Sequence, residues 1–293
     1  MGALTHSVQR LDRAGVQRFL PLLDAWLLEG AAYGVQQTWP QLYRNDGEGA
    51  FFVVTEGDEL LSHCAYRTAT LRDGSSDRTI ALLGSVATAP GARGQGLAGA
   101  VLQAALDSLR GEVDEVLLWA ERPELYARHG FAPSGDDACL VLARRPRRTR
   151  DDVRLADVRD HAALHALHQQ KPRRVERSLR TMSTLLTTPG MTTLVLERDG
   201  EAVAYACTGK GADLQGHWHE LGGADEDLAQ LLPEAMHRTD QVQAALLLPP
   251  YRRPLAALLV DHVVDELAVA GPMVRSAQTD ARRPCWIDGL DSV

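Results

Sequence analysis

The segment Arg93-Gly94-Gln95-Gly96-Leu97-Ala98 constrains this chain more than any other feature. It joins an apolar run that reads as a strand, Ile80 to Ala89, to a run whose Ala100, Val101, Ala104, Ala105 and Leu109 recur at helical spacing. Gly94, Gly96 and the small Ala98 leave the backbone at a helix N-terminus open to a ligand. The unpaired N–H groups and the helix dipole at such a place favour an anion, a pyrophosphate above all. The competing reading is a tight strand-to-helix turn that needs glycine for its backbone angles. A nucleoside-triphosphate loop does not fit, because no Lys-Ser/Thr pair closes the segment.

Around this segment the sequence predicts a repeated α/β plan. Residues 8–30 carry Val16, Phe19, Leu20, Leu23, Trp26 and Leu27 at helical spacing. Strands are expected at 51–55, 60–70 and 80–89, the first two joined by the turn Gly57-Asp58. A buried strand at 115–119, a helix at 123–129 ending at Gly130 and a strand at 139–143 complete a mixed sheet. The arginine-dense stretch 144–154 has no apolar periodicity and marks a boundary. Beyond it, 195–198, Asp199-Gly200 and 202–208 overlay the first hairpin, and the later order of elements repeats as well. The chain therefore divides into residues 1–145, a linker at 146–153, and residues 154–293.

Composition limits the partners. Across 293 residues, 31 basic and 39 acidic side chains give a formal charge of −8, which offers no general attraction to nucleic acid or anionic membrane. Cys64, Cys139, Cys207 and Cys285 lie far apart without a C-x-x-C pair, so a disulfide scaffold or zinc site is not expected. No leader-like start and no long apolar run is visible, and a cytoplasmic location is the default expectation. In His217-Trp218-His219-Glu220 the two histidines share one strand face and the glutamate takes the other, so no metal is assigned.

These residues resemble the GCN5-related N-acetyltransferases (GNAT), whose pyrophosphate motif is Gln/Arg-x-x-Gly-x-Gly/Ala. Arg93 to Ala98 fits that motif without a gap, and Val86-Ala87-Thr88-Ala89-Pro90 looks like the strand leading into it. Leu125-Tyr126-Ala127-Arg128-His129-Gly130-Phe131 matches the family's tyrosine before Gly-Phe. The resemblance covers residues 8–145 well, and the whole chain looks like a tandem acetyltransferase with a degenerate second copy.

The resemblance implies acetyl-CoA as co-substrate, bound by Val86, Ala87, Thr88, Arg93, Gly94, Gln95, Gly96, Leu97 and Ala98. It implies that an amine attacks the thioester through a tetrahedral intermediate, with backbone N–H near Val86-Ala87 holding the oxyanion. Tyr126 matches the general acid for the departing thiolate. The family's strand glutamate is missing from 80–86, which leaves Glu121, His63 or a water chain as base. In the second half, Asp225, Glu226 and Asp227 open the helix after Gly222-Gly223, and their carboxylates would repel a phosphate there. Distant mycobacterial aminoglycoside acetyltransferases bring a terminal carboxylate to the active site, which suggests a similar place for Val293. They carry a further C-terminal domain, so their substrate is not carried over. The expected acceptor is a small amine. A protein N-acetyltransferase and a non-catalytic acyl-CoA-binding protein are the alternatives, and a homodimer is compatible with either.

Overall fold

The computed structural model describes residues 7–44, 47–74, 76–146, 150–211, 214–276 and 285–293. In the first half, β1 (Gln9–Leu11) precedes four short helices, α1 (Arg13–Gln17), α2 (Leu20–Leu27), α3 (Val35–Thr38) and α4 (Pro40–Tyr43). An antiparallel meander follows, β2 (Ala50–Glu56), β3 (Glu59–Asp73) and β4 (Ser76–Thr88). Then come α5 (Leu97–Ser108), β5 (Glu115–Leu118), α6 (Pro123–Ala127), β6 (Ala132–Pro133) and β7 (Asp136–Ala143). The second half holds β8 (Val153–Leu155), α7 (His161–Gln169), β9 (Arg173–Val175), α8 (Leu179–Leu186), β10 (Thr192–Arg198), β11 (Glu201–Thr208) and β12 (His217–Gly223). It ends with α9 (Asp225–Arg238), β13 (Gln243–Leu248), α10 (Arg253–Leu258), β14 (Val263–Ala270), β15 (Met273–Ser276) and the segment 285–293.

Two mixed sheets result, ordered β1-β2-β3-β4-β5-β15-β6 and β8-β10-β11-β12-β13-β7-β14. The orders are equivalent position by position, with β4–β5 and β12–β13 as the parallel pairs. The repeat seen in the hairpins is thus a repeat of the whole sheet. The halves nevertheless exchange a strand: β7 inserts between β13 and β14, while β15 inserts between β5 and β6. The expectation that 139–143 closes the first half's sheet is corrected here. Alternation of apolar residues sets which strand face is buried but not whose sheet it joins.

Two further expectations change. Residues 8–30 open with a strand, and the helical part breaks between Gln17 and Leu20, ahead of Pro21 at the first turn of α2. The described end of the expected linker already forms β8. β9 is an addition that the sequence did not suggest; it pairs with the far end of β3 and ties the second half to the first sheet a second time.

The first sheet is buried on both faces, and its sequence shows how. Along β2, Phe51 and Val53 pack under α1–α4, whereas Phe52 and Val54 pack under α5. α5 turns Val101, Leu102, Ala105 and Leu106 inward at helical spacing. On the α1–α4 side, the part of the sheet formed by β4 and β5 is covered by segment 285–293 through Cys285 and Ile287.

The exchange makes each sheet incomplete without the other half. The full chain is expected to melt in one cooperative transition followed by circular dichroism. A fragment ending at residue 146, which lacks β15 and exposes the edge of β5, is expected to lose that transition. A fragment that melted as sharply as the whole chain would contradict this account.

Candidate active site

The site is built on an irregularity in β4. His63 pairs with Ala87 and Ala65 with Gly84, so Ser85 and Val86 together oppose Cys64 and form a β-bulge. Ser85 sits at φ 54°, the left-handed region, which a non-glycine residue adopts at a cost of about 1 kcal/mol. The buried His63 ring supports the strained peptide by donating its Nδ1–H to the Ser85 carbonyl at 2.8 Å. Tyr43 and Phe51 flank the same ring, with centroids at 6.1 Å.

On its other edge β4 loses its neighbour. β5 pairs only Glu115–Leu117 with Ile80–Leu82, and β4 continues alone to Thr88. Main-chain groups from Leu83 onward therefore face a gap on the β5 side. At its end lies the glycine-bearing loop. Gly96 is the N-cap of α5 at φ 79° and Gly94 sits at φ 80°, and neither has another atom within 4 Å of where a side chain would begin. The first turn of α5 carries no acidic residue. Arg128 and His129 approach Gly99 on that turn; Arg128 and Arg93 add positive charge there, whereas burial and the neighbouring Arg128 and Arg275 lower the His129 pKa and favour its neutral form. Open backbone, a helix N-terminus and cationic side chains are the requirements of a pyrophosphate site. With Gly99 the loop also spells G-x-G-x-x-G. The unit β4–α5–β5 is parallel, but it stands alone between antiparallel strands on both sides, whereas a dinucleotide fold is built from successive parallel βαβ units.

The expected catalytic residues divide by environment. Tyr126, on α6, is half-buried and packs edge-on against Phe131. Burial raises its pKa, with a smaller contribution from Cys64, and the ring packs against the apolar cluster that contains Cys64, the residue opposite the bulge. His63 is fully enclosed, and burial pushes it down to about 4 against the opposing hydrogen bond to Ser85. Glu121 is exposed in the loop after β5. Burial pushes the Cys64 thiol up to about 12, so it is not an available thiolate.

The segment 285–293 reaches the bulge from the other face. A Cβ at Gly84 would lie 2.5 and 2.7 Å from the main-chain oxygen and carbon of Val293, so only glycine permits this approach. A buried ionic network seats the segment. Asp291 accepts hydrogen bonds from Arg67 of β3 at 3.1 Å and from Arg177 at 2.5 Å. Arg177 also donates to Glu220 of β12 at 2.9 Å. Lys171 joins Glu220 and Asp288 at 2.5 and 2.9 Å, and Lys210 donates to the carbonyls of Gly289 and Ser292. Burial would raise Glu220, but Arg177 and Lys171 hold it well below the usual carboxylate range. Asp291 is lowered in the same way by Arg177 and Arg67, against its burial.

The sequence suggested neither this network nor the part played by Arg128 and His129. The one available signal was Gly84 inside an apolar strand run, which marks a bulge or a close backbone approach. His168, Glu220 and Asp288 present ligand atoms within 4.8 Å of one another, yet the Lys171 ammonium bridges the two carboxylates. His219 turns away from any such cluster and bonds the Gly209 carbonyl at 2.7 Å.

The second sheet repeats the device with different contents. His219 of β12 is the unpaired residue of a bulge opposite Cys207 and Thr208. The first turn of α9 holds Asp225, Glu226 and Asp227, of which Asp225 pairs with Arg252 at 2.5 Å and Asp227 with Arg198 at 2.7 Å.

Residues 7–134 match the family model of the acetyltransferase (GNAT) domain. A probable N-acyltransferase from Enterococcus faecalis superposes with a TM-score of 0.72 at 14% identity, over 93% of this chain and 73% of that one. A GCN5-related N-acetyltransferase from Kribbella flavida gives 0.68 at 18% identity, over 94% and 72%. Eis1 from Mycobacterium abscessus gives 0.62 at 16%, over 92% and 73%. No curated protein sequence matches the chain. Among the described residues, no helix is long and apolar enough to cross a membrane.

The two enclosed histidines make stability depend on pH. His63 and His219 both titrate at about 4 in the folded chain, against about 6.5 when unfolded. The unfolded state therefore takes up protons that the folded state refuses as pH falls from about 6.5 to 4, and stability declines in that window. Each histidine accounts for about 3 kcal/mol of the decline when fully expressed. The depressed Glu220 and Asp291 lose their contribution only at lower pH, as they protonate. Urea unfolding between pH 7.5 and 4.5 is expected to show midpoints that fall once the pH drops below about 6.5; a flat profile down to pH 4.5 would exclude buried, neutral histidines.

Proposed function

We propose, from the match of residues 7–134 to the acetyltransferase (GNAT) domain model, that this chain transfers an acetyl group from acetyl-CoA to a primary amine. One observation carries the reading: the open glycine loop at α5, the gap between β4 and β5, the bulge at Ser85 and the phenol of Tyr126 all meet along one strand.

In this reading Arg93 to Ala98 hold the pyrophosphate, with Arg128 and His129 beside them, and the main chain at Val86 to Thr88 flanks the acyl group. Acetyl-CoA supplies the activated thioester. The acceptor nitrogen forms the new C–N bond, the C–S bond breaks, and Tyr126 gives its proton to the departing thiolate. Its raised pKa keeps the phenol protonated until that moment. Cys64 does not serve as a relay, because its thiol stays protonated, and transfer to the amine is direct.

The ammonium proton has to leave before attack. His63 at about 4 is mismatched with an alkylammonium near 10 by six units, or about 8 kcal/mol, so it supports the bulge and does not act as base. Glu121 is exposed in the loop after β5, and in this reading the proton leaves through water. The main-chain carbonyl of Val293 over Gly84 walls the acceptor side.

Gly96→Glu is expected to abolish acetyl-CoA binding in a calorimetric titration, by setting bulk and negative charge against the pyrophosphate. Tyr126→Phe is expected to lower kcat about a hundredfold with acetyl-CoA affinity unchanged; full activity in that variant would remove the acid assignment. With water as the proton's exit, log kcat/KM is expected to rise about one unit per pH unit between pH 7 and 9, following the free amine. A plateau across that range would instead reveal a protein base.

A further inference from the structure

The gap beside β4 has two faces, and the strands on either side of it assign their residues to them in step. Along β4, Ile80 and Leu82 turn towards segment 285–293, and a side chain begun at Gly84 would meet Val293 on that same face. Ala81 and Leu83 turn to the other face, under α5. On β5, Val116 and Leu118 join the α5 cluster, Leu117 joins the cluster of segment 285–293, and Ala120 packs against the α5 cluster again. Trp119, between Leu118 and Ala120, is therefore directed to the side of Val293. Its level follows from the ladder. Leu117 pairs with Leu82 in parallel, so Trp119, two residues further on, stands level with Gly84 where the strands have parted.

Trp119 is 37% exposed, and it is the aromatic one among the large apolar side chains exposed in the described residues. Among those residues its indole makes no hydrogen bond and no ring or cation contact. Tyr126, the acid of the proposed transfer, packs against the α5 cluster on the opposite face. A thioester held in the gap thus has its leaving group served from one face, and the acceptor arrives from the other, between Trp119 and Val293. The cluster on that face is apolar, with Leu82, Leu117 and Ile287, and the polar group over Gly84 is the main-chain oxygen of Val293.

We propose that Trp119 determines acceptor specificity, and that the acceptor is a primary amine with an aromatic body, which stacks on the indole while its nitrogen lies beside the Val293 oxygen. Stacked rings attract one another beyond the area they bury. The apolar cluster offers no partner to a charged or hydroxylated body, so desolvating such a body there goes uncompensated. The Val293 oxygen accepts a hydrogen bond from the amine and turns its nitrogen towards the gap. The proposal rests on the acetyltransferase reading and adds the substrate class.

The test uses the full chain with saturating acetyl-CoA, thiol release as the rate, and three primary amines: 2-phenylethylamine, butylamine and putrescine. 2-Phenylethylamine is expected to exceed both of the others in kcat/KM by about tenfold or more. Because the side chain is exposed, Trp119→Ala is expected to fold as the parent does. That variant is expected to raise the KM for 2-phenylethylamine about tenfold, with kcat and acetyl-CoA affinity unchanged, and Trp119→Phe to recover most of the loss. Equal or better turnover of butylamine, or of putrescine through a cation held on the indole, would overturn the proposal, as would an unmoved KM in Trp119→Ala. If no amine is turned over, calorimetric titration of 2-phenylethylamine into the complex with acetyl-CoA decides the matter. Binding that is lost in Trp119→Ala upholds the site; absent binding, or binding equal in both proteins, overturns it. Failure of acetyl-CoA itself to bind would overturn the acetyltransferase reading, and this proposal with it.

Discussion

The buried ionic network around Asp291 is the constraint on which the rest of the site depends. Arg67 reaches it from the first sheet, Arg177 and Lys171 from the second half, and Glu220 from the second sheet, so one set of charges joins both sheets to segment 285–293. Buried ion pairs add little net stability, because desolvation offsets most of the attraction. Removing one partner, in contrast, leaves an uncompensated charge and costs about 3–5 kcal/mol. Such a network therefore acts chiefly on position: a displaced segment would strand several charges at once. Only the observed seating brings Gly289 against His219 at one bulge and Val293 against Gly84 at the other.

The strand exchange works to the same end. With β7 in the second sheet and β15 in the first, neither half can rotate against the other without breaking a ladder. The His63–Ser85 hydrogen bond then holds the bulge from beneath, in a strand whose far side is left open by β5. Rigid placement of a reacting amine against a thioester is what a transfer without a covalent enzyme intermediate requires.

The sequence made much of this legible. Local chemistry marked the loop at Gly94 and Gly96, α5 and the hairpins, since glycine, helical spacing and turn residues act within a few positions, whereas Tyr126 was singled out by the family resemblance. Partners distant in the chain were hidden. β7 and β15 carry ordinary strand patterns that suit either sheet, and Lys171, Arg177 and Asp291 read as surface charges until the fold encloses them. His63 stood among the candidate bases, but its hydrogen bond is to Ser85, twenty-two positions away. The net charge of −8 argued against nucleic acid and anionic membrane but could not describe any one cleft. Bulk charge averages over surfaces that a ligand never meets.

The two copies show what separates an open helix end from a closed one. β12 keeps the bulge and parts from β13 after two paired residues, so the second half has the framework of the first. At α9, however, Asp225 and Asp227 already complement the helix dipole, and Arg252 and Arg198 in turn neutralise them. A phosphate arriving there would have to displace carboxylates that are part of the fold. At α5 the equivalent turn is empty of acids and has glycine at its cap, so its N–H groups are left to a ligand. The same scaffold thus yields an open helix end in one copy and a self-satisfied one in the other, through the choice of residues in a single helical turn.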